Sequence, residues 1–301
     1  MTARAMPALA APAGPWSSIE IATRRERVRV PFVIDGVAVG SVAAEHLDAL
    51  RPWAPGLRVE RDAVVLTVSA DRRDDTLATL NAALREQGLI RAWRDETYPL
   101  PHPATLQVLA HFERAASRFW GTLTFGAHGT GWVAGADGRP AALWIAQRSF
   151  HKATDPGAHD NLVGGGVPHG QTPWQTLVRE GWEEAGLTPE VMQRARRGRV
   201  IRLQRDIAEG LQFEWIHAFD LQLQPDEIPV NQDGEVHAFT LHAAADALAI
   251  AAGSTMTADA ALVTLDFALR HGLLPAHEGE RLAARAAGLW VASAASDGRM
   301  P

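Results

Sequence analysis

Three glutamates on one predicted helix, preceded by a run of glycines, are the residues whose types and spacing could do chemistry. Glu180, Glu183 and Glu184 fall at i, i+3 and i+4, so they share one helical face. Like charges at this spacing repel by about 0.2–0.5 kcal/mol per pair, and a hard divalent cation such as Mg²⁺ would remove that repulsion. The glycines at residues 164–166 permit close approach of a ligand, and the helix N-terminus favours anions. The pattern predicts a metal–phosphate site; the alternative is an ordinary solvated helix face.

Signals at both ends define the helix that carries these glutamates. Thr172 is followed by Pro173 and, three residues on, by Gln175, which is typical of an N-cap, a first-turn proline and a capping box. Gly186 provides a C-cap, so we predict a helix over residues 172–185. Its apolar residues at helical spacing, expected to face the core, are Trp174, Leu177, Val178, Trp182 and Ala185.

The spacing of this segment resembles the Nudix box, G-x5-E-x7-R-E-U-x-E-E-x-G-U, where U is a bulky aliphatic residue. The matching or corresponding positions are Gly165, Gln171, Arg179-Glu180, Glu183-Glu184 and Gly186-Leu187. Two positions depart from the motif, because Gln171 stands in place of a Glu and Gly181 in place of an aliphatic residue. The resemblance implies a Nudix α/β/α sandwich that binds Mg²⁺ or Mn²⁺ and hydrolyses a diphosphate attached to another group.

The resemblance also implies roles for individual residues. Glu183 and Glu184 would be metal ligands, together with the carbonyl of Gly164. Arg179 would pair with and orient Glu180, which would bind metal or help to activate water. A metal ion would lower the pKa of bound water and neutralise charge on the leaving phosphate.

A further acidic residue often comes from a later loop in this family, and Glu235 resembles it. It lies in the segment Asp233-Gly234-Glu235-Val236 and would act as a metal ligand or a base. The alternative is a turn at Asp233-Gly234 followed by an exposed strand residue.

Two cations and a group of aromatic residues are candidates for binding the substrate. Arg148 and Lys152 fit a diphosphate clamp, since Arg offers a bidentate fork and Lys a point charge; alternatively they are solvated surface residues. His128 and Trp132, with Phe119 and Trp120 before them, could stack on a cationic ring or could pack the seam between two domains.

Residues around the box resemble one subgroup, the Nudix domain fused to thiamine pyrophosphokinase in fungi and its free-standing plant and bacterial relatives with an extra N-terminal domain. The resembling residues are Arg148-Ser149, Lys152, Thr154, Pro156-Gly157, Asp160-Asn161, Ala261-Leu262-Val263, Asp266-Phe267 and Arg270-His271-Gly272. The subgroup implies hydrolysis of thiamine diphosphate, and more effectively of its oxidised, toxic analogues, to monophosphate and phosphate.

Composition narrows the alternatives. The 301 residues include no cysteine, which excludes disulfides, thiolate metal sites and the cysteine-dependent isopentenyl-diphosphate isomerase of the same fold. Hydrolysis of ADP-ribose or nucleotide sugars, or a Nudix module that binds a ligand without hydrolysis, stays open. The formal net charge of −6 offers no general attraction to nucleic acid or membranes. We expect a cytoplasmic monomer or homodimer whose partner is a small-molecule diphosphate, because no secretory signal is visible.

The elements that must position these residues predict an α+β protein with two domains. We predict a tail at residues 1–18, an N-terminal α+β domain at 19–115, a Nudix domain at 116–292 and a tail at 293–301. The N-terminal domain should contain a hairpin turning at Asp35-Gly36, a strand at 57–69, a helix at 71–87 and a linker or domain seam at 98–103. Further strands are predicted at 123–125, 132–134, 141–146, 200–203, 213–223 and 235–242, with a last helix at 257–271.

Overall fold

The computed structural model describes residues 15–152 and 154–292. The N-terminal part is built from short strands and helices. In chain order these are α1 (Ser18–Ile21), β1 (Arg29–Ile34), β2 (Val37–Ala43), α2 (Leu47–Leu50), β3 (Leu57–Val59), β4 (Val64–Leu66), α3 (Arg73–Glu86), β5 (Thr97–Pro101) and β6 (Val108–Glu113). Short 3₁₀ turns lie at Ala44–His46, Arg51–Trp53 and Ala70–Arg72.

A four-stranded sheet in the order β2-β1-β4-β3 forms one side of this N-terminal part. The predicted hairpin is confirmed: Asp35 and Gly36 both have positive φ, which matches a two-residue turn between right-twisted strands. The helix predicted at 71–87 is confirmed as α3. The single strand predicted at 57–69 is wrong, because two short antiparallel strands, β3 and β4, occupy that segment.

The sequence predicts a linker or a domain seam at residues 98–103, and the linker interpretation is wrong. Residues up to Pro101 belong to β5, which among the described residues pairs with the single strand β6, and Tyr98 and Leu100 are buried. A proline lacks the N–H of a central strand, but a strand paired on one side only tolerates it.

The C-terminal part carries the larger sheet. Its elements are α4 (Ala116–Trp120), β7 (Leu123–Ala134), β8 (Pro140–Arg148), β9 (His159–Asp160), β10 (Val163–Gly166), α5 (Pro173–Ala185), α6 (Pro189–Met192), β11 (Arg196–Ile207), β12 (Gly210–Gln222), β13 (Val236–Ala243), α7 (Ala244–Ala252), α8 (Ala258–Arg270) and α9 (Ala276–Ala286). A short 3₁₀ turn follows at Ala287–Leu289. The main strand order is β11-β12-β7-β8-β13, with β10 paired to β7 and β9 to β8; β12 and β7 run parallel.

Alternating side chains bury both faces of this sheet. On β12, Ile216 and Ala218 face a core shared with α7, α8 and α9, whereas Phe219 and Leu221 face a core shared with α5 and α6. Helices therefore cover both faces, as the predicted α/β/α sandwich requires.

Several boundaries differ from the predictions. Residues 123–134 form one strand, and the helix predicted to be last, α8, is followed by α9. Residues 1–14 of the predicted N-terminal tail at 1–18, and the predicted tail at 293–301, lie outside the described residues. Trp16, within the predicted N-terminal tail, is 1% exposed and packs in the core beside α8, so packed structure extends to the N-terminal side of residue 19.

No helix within residues 15–152 and 154–292 is both long and apolar enough to cross a bilayer.

Candidate active site

The helix α5, which carries the glutamates, begins and ends as predicted. The Thr172 side chain accepts a hydrogen bond from the Gln175 N–H at 3.2 Å, and the Gln175 side chain accepts one from the Thr172 N–H at 2.8 Å. Gly186 closes the helix at a φ of 64°. These caps fix where the helix begins, and therefore which turn presents the glutamates to β10.

The glycines of β10 allow the helix and its neighbours to approach the strand. A Cβ on Gly165 would overlap the Glu180 carboxylate, and one on Gly164 would lie 2.9 Å from the His128 ring. A Cβ on Gly166 would overlap the Tyr98 hydroxyl. The strand must therefore be glycine at all three positions for these side chains to reach it.

Glu184 is held against this strand. Its Oε2 accepts a hydrogen bond from the Gly164 N–H at 2.9 Å. In an antiparallel strand the N–H and C=O of one residue lie on the same edge, so the Gly164 carbonyl also faces Glu184. Burial, and next the charge of Glu180, raises the pKa of Glu184 well above its ordinary value of 4.5. The ionised carboxylate therefore needs a cation.

Arg179 holds the other two glutamates, as the resemblance implied for Glu180. Its Nη2 donates to Glu180 Oε1 at 2.7 Å, and its Nη1 donates to Glu183. Burial raises the pKa of Glu180, although Arg179 opposes that shift. Arg179 Nε donates to the Gln171 Oε1 at 3.3 Å, and the Thr176 hydroxyl donates to the same oxygen at 3.0 Å. Gln171 thus supplies an acceptor oxygen where the motif has Glu, without its charge.

Lys152, the only lysine of the sequence, lies between Glu184 and Glu235. Its Nζ is 3.9 Å from Glu184 Oε1 and also contacts Glu235 Oε2. Burial acts to raise the pKa of Glu235, but the hydrogen bond and charge of Lys152 outweigh it and lower the pKa. The predicted turn at Asp233-Gly234 exists, yet the Glu235 side chain contacts Lys152 within the site.

Arg148 is also enclosed. Its Nη1 donates to Asp160 at 2.8 Å, and its other nitrogens donate to the carbonyls of Thr154 and Asp155. The side chains of Arg148 and Lys152 are only 16% and 11% exposed, so the alternative that they are solvated surface cations is wrong.

The predicted aromatic residues divide between the site and the core. His128 lies in the site, where its Nδ1 is 3.1 Å from Asn161 Oδ1. Trp132 is not brought to the site: its ring packs 6.3 Å from that of Phe267, against the α8 side of the sheet, so its predicted contact with substrate is corrected to a packing role. Phe119 and Trp120 are buried in the N-terminal core, which confirms the packing alternative.

Positions 181 and 182 on α5 pack differently from what the motif and the apolar pattern indicate. Gly181, where the motif has an aliphatic residue, packs against Met192 of α6; a Cβ there would lie 2.5 Å from the Met192 sulfur. Trp182, expected to face the core, is 51% exposed.

A cavity of about 830 Å³ joins these residues. Glu180, Glu183, Lys152 and Glu235 lie along it on the C-terminal side. The N-terminal part supplies a second wall, which sequence reasoning missed, since no local motif marks a residue that reaches the site only through tertiary packing. The residues of that wall include Arg91, Arg94, Glu96, Arg114 and Arg118.

Carboxylate oxygens are the ligands that a hard divalent cation prefers. In the part of the chain that the structure describes, no three Asp, Glu or His side chains are arranged to hold a metal ion. Lys152 and Arg179 instead provide the positive charge beside Glu180, Glu183 and Glu184. Carboxylate oxygens next to a glycine strand that leaves no side chain in the way suit Mg²⁺ or Mn²⁺.

Comparison with known proteins identifies the family to which the chain belongs. A model described as NUDIX domain matches residues 130–259, and one described as Domain of unknown function (DUF4743) matches residues 17–124. The chain is 33% identical over 259 residues to Nudix hydrolase 20, chloroplastic, of Arabidopsis thaliana, covering 81% of this chain and 68% of that protein. The chain belongs to the Nudix hydrolase family.

Two further similarities accompany this family assignment. Nudix hydrolase 24, chloroplastic, of Arabidopsis thaliana is 32% identical over 251 residues, covering 81% of this chain and 68% of that protein. Among solved structures, DR0079 from Deinococcus radiodurans is similar with a TM-score of 0.44 and 22% identity, covering 57% of this chain and 99% of that one.

The chain is therefore a Nudix hydrolase that acts on pyrophosphate bonds, and its sandwich is the Nudix fold. The NUDIX match contains Arg179, Glu180, Glu183, Glu184 and Glu235. The second match covers the N-terminal wall of the cavity.

Proposed function

We propose that this Nudix hydrolase is a Mg²⁺-dependent pyrophosphohydrolase that cleaves thiamine diphosphate or its oxidised analogues to the monophosphate and phosphate. One observation carries the diphosphate part of the proposal: half-buried Glu180 and buried Glu184 lie at a glycine strand beside the enclosed cations Arg148 and Lys152. Carboxylates for a metal and cations for phosphate are the two charges that a metal–diphosphate complex needs.

The thiamine part rests on the resemblance of the flanking residues, and the charges of the cavity support it. Of the aromatic residues predicted to stack on a cationic ring, Trp132, Phe119 and Trp120 pack elsewhere, and His128 lines the cavity. Two carboxylates, Asp155 and Asp259, line another portion of the same cavity. Asp259 pairs with Arg205 at 3.5 Å, and burial, and then Asp259, raises the pKa of Asp155. A cationic thiazolium or an amino group placed there would provide a further positive charge beside these carboxylates.

The metal would be held by Glu183, Glu184, Glu180 and the Gly164 carbonyl, and when bound it supplies charge neutralisation and a more acidic water. Proton transfer belongs to Glu180 rather than Glu235 in this proposal. Glu235 is engaged by both Lys152 and Arg94, whereas Glu180 is paired, among the described residues, with Arg179 alone. Arg179 orients Glu180 through their 2.7 Å hydrogen bond.

A substrate screen tests the proposal. Products from thiamine diphosphate, its oxo and oxy analogues, ADP-ribose and nucleotide sugars would be separated chromatographically, with and without Mg²⁺ or Mn²⁺. We expect the largest kcat/KM for the oxidised thiamine compounds and no turnover with chelator. Rapid ADP-ribose turnover with none of the thiamine compounds cleaved would replace the substrate assignment.

The Glu184→Gln variant tests the metal assignment. It keeps the size of the side chain and a hydrogen-bond acceptor for the Gly164 N–H, but removes the charge. We expect metal-dependent turnover to fall by at least about 100-fold, which corresponds to about 2.7 kcal/mol of transition-state stabilisation. Glu190→Gln, on a fully exposed carboxylate, serves as the control. Full activity of Glu184→Gln would contradict the assignment.

The cytoplasmic location, the monomeric or dimeric state and the absence of nucleic-acid and membrane partners stay proposals. The two Arabidopsis thaliana relatives are named as chloroplastic. Cell fractionation and light scattering on the purified protein test the location and the oligomeric state.

A further inference from the structure

The N-terminal wall of the cavity is rich in arginine and faces the Nudix carboxylates. Arg94, Arg114 and Arg118 line it, and Glu180 and Glu183 line the same cavity from the other side. Neither the motif nor the NUDIX match includes these arginines, since they lie before residue 130. Guanidinium groups in these positions can bind an anionic ligand in the cavity.

Arg94 connects the two parts of the chain at the site. Its Nη1 is 3.7 Å from Glu235 Oε1, the same carboxylate that Lys152 contacts. The Arg94 N–H donates to Glu113 Oε1 at 3.0 Å, which fixes the loop before β5. The guanidinium is therefore presented to the site by an anchored backbone and not by a free loop.

Arg114 reaches the glycine strand itself. Its Nη1 donates to Glu96 at 2.9 Å, and its guanidinium lies over the Tyr98 ring at 5.4 Å. Its Nη2 lies close to β10: a Cβ built on Gly166 would be 3.2 Å from this nitrogen. One edge of the fork is thus fixed by protein groups, while Nη2 lies at the strand that carries the predicted metal-binding carbonyl.

The cations on the Nudix side are already engaged. Arg179 holds two glutamates, Arg148 donates to Asp160 and two carbonyls, and Lys152 contacts two carboxylates. On the N-terminal side, Arg118 donates through Nη2 to Glu214, but its buried Nη1 has no hydrogen-bond partner among the described residues. The N-terminal wall therefore adds guanidinium donors to the cations Arg148 and Lys152 of the Nudix side.

We propose that Arg94 and Arg114 bind the phosphates of the diphosphate substrate, so that the N-terminal part completes the active site of this Nudix hydrolase. The inference rests on the proposed function only in taking a diphosphate as the ligand. A planar guanidinium binds two phosphate oxygens at once, and such charge-assisted hydrogen bonds are the strong ones. Substrate then bridges the two parts of the chain, with its metal-bound end on α5 and β10.

Binding of methylenediphosphonate, which cannot be hydrolysed, tests this proposal apart from the identity of the substrate. Calorimetric titrations in Mg²⁺ would compare the wild-type protein with Arg94→Gln and with Arg114→Gln/Glu96→Gln, in which the second change avoids an unpaired carboxylate. Matched controls are Arg51→Gln and Arg58→Gln/Glu60→Gln, which remove exposed charges outside the cavity.

We expect binding to weaken about tenfold or more for each test variant and to stay unchanged for the controls. With a cleaved substrate, KM should rise more than kcat falls, whereas a purely structural defect would lower the amount of active enzyme without that split. If the Arg114 variant does not fold, Arg94→Gln decides alone. No binding by the wild type, or equal binding by folded Arg94→Gln, overturns the proposal.

The outcomes separate this proposal from the thiamine assignment. Loss of methylenediphosphonate binding in the variants, with no cleavage of thiamine diphosphate by the wild type, leaves the arginine proposal standing and removes the substrate assignment. Cleavage of thiamine diphosphate with unchanged kinetics in Arg94→Gln would support the substrate assignment and overturn the arginine proposal.

Discussion

Gly181→Ala should destabilise this Nudix hydrolase although alanine is the better helix former. Replacing glycine inside a helix by alanine gains about 0.8–1.0 kcal/mol of helix propensity. The new Cβ, however, would lie 2.5 Å from the sulfur of Met192, 2.7 Å from its Cε and 3.0 Å from its Cγ. Met192 is 1% exposed in the core beneath α5, so its side chain has no solvent to move into.

The expected change in the free energy of unfolding is the cost of overpacking minus the gain in helix propensity. Overpacking a core costs typically about 1–3 kcal/mol. Subtracting the gain in propensity leaves a net loss of about 0–2 kcal/mol in the free energy of unfolding. An aliphatic residue at 181, as the motif has it, adds more atoms to the same space and should cost more than alanine does.

A double-mutant cycle isolates the contact. Urea unfolding would be followed for the wild type, Gly181→Ala, Met192→Ala and the double variant, with m-values compared to exclude a change in cooperativity. With Met192 truncated, the same Gly181→Ala change should turn stabilising by up to about 1 kcal/mol, because only helix propensity remains. If Gly181→Ala stabilises the protein even with Met192 in place, the steric argument is refuted.

Four further outcomes follow from the site. Thr172→Ala removes the capping box and should cost about 1 kcal/mol in thermal or urea unfolding, with Thr188→Ala, which makes no side-chain cap, as control. Gln171→Glu should change kcat/KM by less than about tenfold, because Arg179 already has an oxygen acceptor there. The raised pKa of Glu184 means that the metal-free native protein retains a proton that the unfolded chain has released, so stability falls as pH rises above 4.5; Glu184→Gln should flatten this dependence of Tm on pH, and an unchanged slope would contradict it. Lys152→Met should bind Mg²⁺ alone more tightly in calorimetry but raise KM for the diphosphate, and loss of both would indicate damage to the fold.

Local signals explain why much of the site could be predicted. The capping box, the proline and the terminal glycine lie within one segment, so the bounds of α5 followed from neighbouring residues alone. The spacing of Glu180, Glu183 and Glu184 then determined which face they share. The strand β5 was missed because prolines mark a break in most contexts, and only its pairing with a single neighbour makes them acceptable.

Tertiary contacts explain what the sequence could not reveal. Gly181 departs from the motif, and the reason is its contact with Met192, eleven positions away and on another helix. Trp132 and His128 lie on the same strand, β7, yet only His128 lines the cavity. Arg94 precedes β5 and Arg114 follows β6, and no pattern within either segment encodes their distance from Glu235 or Gly166.

The carboxylates of the site are balanced by cations of the protein itself. Three glutamates that repel one another on α5 are held together by Arg179 and Lys152, which occupy the carboxylates that a divalent cation would need. A divalent cation would therefore compete with Arg179 and Lys152 for these carboxylates. If Lys152 were released from Glu184, its positive charge would be available to phosphate oxygens. We therefore expect metal and diphosphate to favour each other's binding through Lys152, because either one alone would act against the existing ion pairs.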